Sequence, residues 1–121
     1  MRTSTKLLVS LSALLGFLHS SVWGHATLQS AAPAKNAQLA AVPKEIALRF
    51  NENLETDFSS IKVVDAGGRN VLTKKALVDA ADPRTLRVPV DSLKPGKYTV
   101  QWVGVGQDGH RRTGDYTFSV R

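Results

Sequence analysis

From Lys44 to Phe50 the chain alternates, with Ile46, Leu48 and Phe50 on one side and Glu45, Ala47 and Arg49 on the other. That is the period of two expected of a half-buried strand. The pattern recurs downstream. Ile61 to Val64 is rich in β-branched residues and runs into Ala66-Gly67-Gly68-Arg69-Asn70, a turn; Leu86, Val88 and Val90 alternate with Arg87 and Pro89; Tyr98, Val100 and Trp102 alternate with Thr99 and Gln101. A last strand places Tyr116, Phe118 and Val120 inward and Asp115, Thr117 and Ser119 outward. Pro95-Gly96 suits the centre of a type II turn, because proline presets φ and glycine accepts a positive one; Asp108-Gly109 is a second turn. Pro89 has no amide to give a neighbour and predicts an edge or a bulge. Val71 to Ala81 shows no decisive period and is compatible with a strand, a loop or one helical turn. Short strands about every ten residues, with polar turns and no helical crossovers, predict a single all-β domain, a Greek-key β-sandwich or barrel.

The chain opens differently. Arg2 and Lys6 precede an apolar run from Leu7 to Leu18, followed by Ser20, Ser21 and Gly24. That order reads as a secretory signal peptide. The run is shorter than the roughly 20 residues that span a bilayer, so the mature protein is not expected to be membrane-embedded. Two cleavage points compete. A cut after Gly24 makes His25 the new N-terminus; a cut after Ala26 discards His25.

Composition narrows the function classes. The 121 residues carry a formal charge of +6, and losing Arg2 and Lys6 with the leader leaves a mildly basic domain. Its cations are scattered among acids rather than gathered into a stripe with interleaved aromatics, which speaks against nucleic acid as a partner. There is no cysteine, so an exported domain of this size must stand on its apolar core without disulfides.

Candidate chemistry is correspondingly sparse. Of three histidines, His19 lies in the leader, leaving His25 and His110; the single methionine is Met1. A transition-metal site in the mature domain is therefore limited to nitrogen and oxygen donors, which suit Cu(II) or Ni(II), and Zn(II) less distinctively. A terminal histidine offers its α-amine and Nδ1 to one metal as a chelate. With an imidazole nitrogen of His110 and an oxygen of Asp108, expected on the same side of an extended segment, the set becomes three nitrogens and one oxygen. Each residue also has a plainer reading: His110 as a solvated polar residue, Asp108 before Gly109 as turn chemistry.

Four segments resemble, in order, the periplasmic copper-resistance proteins of the CopC type. His25-Ala26-Thr27-Leu28 through Pro33-Ala34 is similar to that family's start. Ile46 to Leu54, with Phe50-Asn51-Glu52-Asn53-Leu54, resembles its Phe-Ser/Asn-Glu-x-Leu strand end. Gly96-Lys97-Tyr98-Thr99-Val100-Gln101-Trp102 resembles its Gly-x-Tyr-x-Val-x-Trp strand, and Asp108-Gly109-His110 through Val120 its closing motif. The resemblance favours cleavage after Gly24, giving a leader over 1–24 and a domain over 25–121. It implies a cupredoxin-like (immunoglobulin-like) fold and one Cu(II) per chain held by His25, Asp108 and His110, with Glu52 beside the ion or as a weak ligand. It also implies a periplasmic, non-enzymatic carrier that sequesters copper and passes it to an inner-membrane importer of the CopD type or another periplasmic copper protein.

Two departures stand out. Many family members bind Cu(I) in a Met-rich loop, and the matching region, Val64 to Lys75, has neither Met nor His, so no Cu(I) site is expected. Arg111 and Arg112 follow His110 where the family often has proline and an apolar residue; two cations there would modestly disfavour a divalent ion or dock an acidic partner. Two rival functions are weighed: a copper-dependent oxidative enzyme with an N-terminal histidine brace, and a metal-free interaction module. Tyr98 and Trp102 fall on the inward side of their strand, which leaves little aromatic surface for a glycan.

Overall fold

The computed structural model describes residues 26–121, so the leader, and His25 with it, lies outside the described residues. Eight strands form two four-stranded sheets: β1 (Leu28–Ala32), β3 (Glu45–Phe50), β6 (Thr85–Pro89) and β5 (Leu77–Val78) in the order β1-β3-β6-β5, and β2 (Gln38–Leu39), β8 (Arg111–Val120), β7 (Gly96–Val105) and β4 (Ser60–Val64) in the order β2-β8-β7-β4. Every pairing is antiparallel except β2 with β8. Only β5–β6 and β7–β8 are sequential neighbours within one sheet; every other connection crosses between sheets, as a β-sandwich requires.

The alternating residues meet between the sheets. Ile46, Leu48 and Phe50 from β3 and Leu86 and Val88 from β6 face Ile61 and Val63 from β4, Tyr98 and Val100 from β7, and Tyr116, Phe118 and Val120 from β8, all buried. Full burial of one such apolar side chain contributes about 1.5–3 kcal/mol, which lets a domain without disulfides hold together. Tyr98 stacks on Phe118 with ring centroids 5.6 Å apart, and its hydroxyl donates to the carbonyl of Lys94 at 2.5 Å, tying down the approach to β7. Phe50 meets Trp102 edge to face at 5.2 Å. Trp102 is cross-strand from Gly114, and its indole occupies the volume that a Cβ there would need.

Several expectations are refined. The strands foreseen around Lys44–Phe50, Ile61–Val64, Leu86–Val90, Tyr98–Trp102 and Tyr116–Val120 all form, but β7 and β8 continue as one long ladder to Val105 paired with Arg111. The backbone hydrogen bonds there persist where side-chain alternation has ceased. The ambiguous Val71–Ala81 stretch is mostly irregular and contains only the two-residue β5. Pro95-Gly96 is a bend and not a hydrogen-bonded turn, and Gly96 enters β7 at φ 152°, a conformation L side chains rarely adopt. Pro89 closes β6 opposite Glu45; β5 reaches only Leu86 and Arg87, so at Pro89 no strand lies on that side and the missing amide costs nothing. The bulge occurs elsewhere, in β1 between Leu28 and Ser30. Among the described residues no helix is long and apolar enough to cross a membrane.

Candidate metal centre

One end of the sandwich gathers three stretches of chain. The first is the β7–β8 connection. The amide of Gly109 donates to the carbonyl of Gly106 at 2.9 Å and that of Gly106 to the carbonyl of His110 at 3.3 Å, with Gly109 at φ 81°. A tight turn followed by a left-handed residue is a usual three-residue hairpin closure, and the left-handed position favours glycine. Asp108 and His110 therefore sit on a turn and not, as expected, along an extended segment.

Their side chains meet nonetheless. Asp108 Oδ1 accepts from the His110 amide at 3.0 Å, and Oδ2 lies 2.9 Å from His110 Nδ1. When Nδ1 donates this bond, the neutral ring keeps its lone pair at Nε2, and the carboxylate fixes the ring's tautomer and orientation. The Asp108 side chain is 17% exposed and that of His110 56%, so the carboxylate is tucked under an imidazole that faces outward.

The second stretch follows β3. The amides of Glu55 and Gln107 donate to the carbonyls of Val105 and Asn53 at 2.8 and 3.2 Å, and Leu54 bridges to Gly106. This lays Glu52 across the hairpin end. Its carboxylate fills the space where a Cβ on Gly106 would stand, and Asp108 Oδ1 is only 3.1 Å from that same point. Glycine at 106 thus lets two carboxylates approach one another.

The third stretch is the beginning of the described chain. Ala26 is fully buried, the Thr27 amide donates to Asn51 Oδ1 at 2.7 Å, and the Asn51 amide donates to the Thr27 carbonyl at 3.0 Å. Asn51 precedes Glu52, so these two bonds hold Thr27 beside the acid.

Of the four residues singled out from sequence, the structure joins Asp108 to His110 and sets Glu52 against the same turn, while His25 falls outside the described residues. Among the described residues no group of three or more such side chains is arranged to hold a metal ion; Asp108 and His110 form a partial donor set that a further ligand must complete. The supporting parts, Asn51 and Gly106, were not foreseen. Asn51 lies inside the strand-end motif, but the contact of Gly106 with Glu52 spans 54 positions' distance in chain order and leaves no local signal.

The CopC domain family profile matches residues 28–121. The chain is 48% identical over 102 residues to Protein YobA of Escherichia coli K12, covering 84% of this chain and 82% of that one. Among solved structures it is similar to CopC from Methylosinus trichosporium OB3b, with a TM-score of 0.75, 35% identity and coverage of 79% of this chain and 93% of the other. It is similar also to PcoC, a methionine-rich copper resistance protein from Escherichia coli, with a TM-score of 0.70, 35% identity and coverage of 81% and 100%. With its two-sheet sandwich and a match over nearly all of the described residues, the chain belongs to the CopC family.

Proposed function

We propose that this protein is a periplasmic Cu(II) carrier whose ion is bound by the α-amine and Nδ1 of His25, exposed by cleavage after Gly24, together with His110 and Asp108. CopC-family proteins are copper-binding resistance proteins of the periplasm and not enzymes; the ligands, the oxidation state and the onward delivery are the specific content of the proposal. One observation carries it. The Asp108–His110 pair needs a further donor, and Thr27, two residues after His25, is hydrogen-bonded to the residue preceding Glu52, beside the turn that holds the pair.

The donor chemistry supports Cu(II). Imidazole, amine and carboxylate suit it in a tetragonal plane, and copper heads the divalent affinity order. No thiol exists and the only methionine is Met1, so a thioether site for Cu(I) has no ligands, in contrast to the methionine-rich PcoC. His110 would bind through Nε2, the ring nitrogen that does not face Asp108, and a carboxylate oxygen of Asp108 would complete the set, with Glu52 adding negative charge beside it. Delivery is to a copper-handling partner, by resemblance an inner-membrane importer of the CopD type.

Intact mass of the exported protein, before and after one equivalent of Cu(II), tests this. A chain beginning at His25 that gains one copper, and loses it in His25→Ala, is the expected result. A chain beginning at Thr27 has no chelating terminus and rules the ligand set out.

A further inference from the structure

The β1–β3 ladder ends in an unusual way. Its last pair is Leu28 with Phe50, and the Phe50 amide donates toward the β6 side, to the carbonyl of Arg84 at 2.8 Å. Alternation then points the next amide, that of Asn51, back at β1, opposite Thr27. Two residues facing each other in this way normally exchange a pair of backbone bonds, each amide donating to the other's carbonyl. The first bond is regular. The Asn51 amide donates to the Thr27 carbonyl at 3.0 Å. The return bond, from the Thr27 amide, goes at 2.7 Å to the side-chain oxygen Oδ1 of Asn51.

A side-chain carbonyl thus stands in for a backbone one, and two consequences follow for the metal-holding end. The main chain of β3 is released from the ladder and bends at Asn51 and Glu52, which carries the Glu52 carboxylate against Gly106 and brings Leu54 to its bridge with the same glycine. Thr27 is nevertheless kept in place. Ala26, next to it, is fully buried in the core cluster, so this stretch is held by an apolar contact as well as by two hydrogen bonds. Alanine at 51 would leave the Thr27 amide without that acceptor, whereas aspartate would retain it.

We infer that Asn51 is the positioning residue for His25: it fixes Thr27 while letting β3 turn toward the hairpin, so that the α-amine and imidazole of His25 are ordered before the ion arrives. The inference rests on the carrier reading, in which those groups chelate copper. Two residues span at most about 7 Å, so a held Thr27 limits where His25 can go. With Thr27 released, binding must order the stretch itself, and fixing the backbone of one residue changes an equilibrium constant by about tenfold.

The exported wild type is compared with Asn51→Ala, Asn51→Asp and, as a control on the ligand set, His25→Ala. Hydrogen exchange of the Thr27 and Leu48 amides is followed by NMR in metal-free protein, and Cu(II) affinity by competition with a chelating dye. In Asn51→Ala, Thr27 should exchange at least tenfold faster, Leu48 in the core should change far less, which also shows that the variant is folded, and Cu(II) affinity should fall by about tenfold. Asn51→Asp should keep Thr27 protected and bind copper no more weakly than the wild type. A strand-end bond with no bearing on the ion would change exchange alone. Unaltered Thr27 exchange in Asn51→Ala, unaltered copper affinity despite a released Thr27, or an equal loss of affinity in Asn51→Asp overturns the role of Asn51. Copper binding that survives His25→Ala undiminished overturns the carrier ligand set, and the role of Asn51 with it; a loss in His25→Ala without one in Asn51→Ala overturns the role of Asn51 alone.

Discussion

Replacing Gly106 by alanine separates the fold from the site. The new Cβ would occupy the position of the Glu52 carboxylate and come within 3.1 Å of Asp108 Oδ1. Because Glu52 ends in a flexible carboxylate, it can swing away; a side chain forced about 30° off its rotamer costs about 0.5–1.5 kcal/mol. Gly106 shows no left-handed φ, so the backbone adds no strain. Unfolding of the metal-free protein by urea should therefore show a loss of about 1 kcal/mol, small against the usual domain stability of about 5–15 kcal/mol. Cu(II) affinity, measured by competition with a chelating dye, should fall about tenfold, the equivalent of about 1.4 kcal/mol, if the displaced charge had been helping to hold the ion. A double-mutant cycle makes the reasoning strict. In a Glu52→Ala background there is no carboxylate to displace, and Gly106→Ala should cost almost nothing in stability or affinity. If alanine at 106 costs the same with and without the acid, the close approach of Glu52 is not what glycine serves there.

Other perturbations probe the fold and the ion. Phe50→Ala, which empties a fully buried site and removes the partner of Trp102, should lower stability by about 3–5 kcal/mol and shift tryptophan emission to the red; a loss below about 1 kcal/mol would contradict the packing described. The Tyr116 hydroxyl is buried with no hydrogen-bond partner among the described residues, and burial pushes its pKa up to about 12, so Tyr116→Phe should leave thermal stability unchanged or raise it by up to about 1 kcal/mol; a clear loss would mean the hydroxyl is bonded. Asp79 is held below its usual value of 3.8 first by its hydrogen bond from Arg87, and Asp82 likewise first by that from Thr85. A carboxylate whose pKa is lowered on folding stabilises fully above its unfolded value and progressively less as pH falls through the folded one. Unfolding curves should therefore weaken below about pH 4, and less so in an Asp79→Asn, Asp82→Asn double variant; identical acid sensitivity in both proteins would refute this. Protons compete with copper for amine and imidazole, whose reference values lie near 7.8 and 6.5, so affinity should fall steeply toward about pH 5, and a pH-independent titration would exclude those ligands.

The alternation of Ile46, Leu48 and Phe50, of Tyr98, Val100 and Trp102, and of Tyr116, Phe118 and Val120 was enough to determine a sandwich and its inner face. Period two is a property of neighbouring residues, and burial on one face imposes it locally. Asp108 and His110 were legible as a candidate pair for a similar reason, being two residues apart in a chain with few histidines. What alternation could not show is where β7 and β8 end, because backbone ladder bonds extend them past the last patterned side chain, nor that Val71–Ala81 would contribute only a short edge. The turn between the two site residues, which folds the Asp108 carboxylate onto the His110 ring, follows from Gly109 adopting a left-handed φ. The rest of the site needed the tertiary structure outright. Glu52 reaches Gly106 and Asn51 holds Thr27, both between segments distant in sequence, and such contacts exist only once the two sheets have packed and brought those segments to one end of the sandwich.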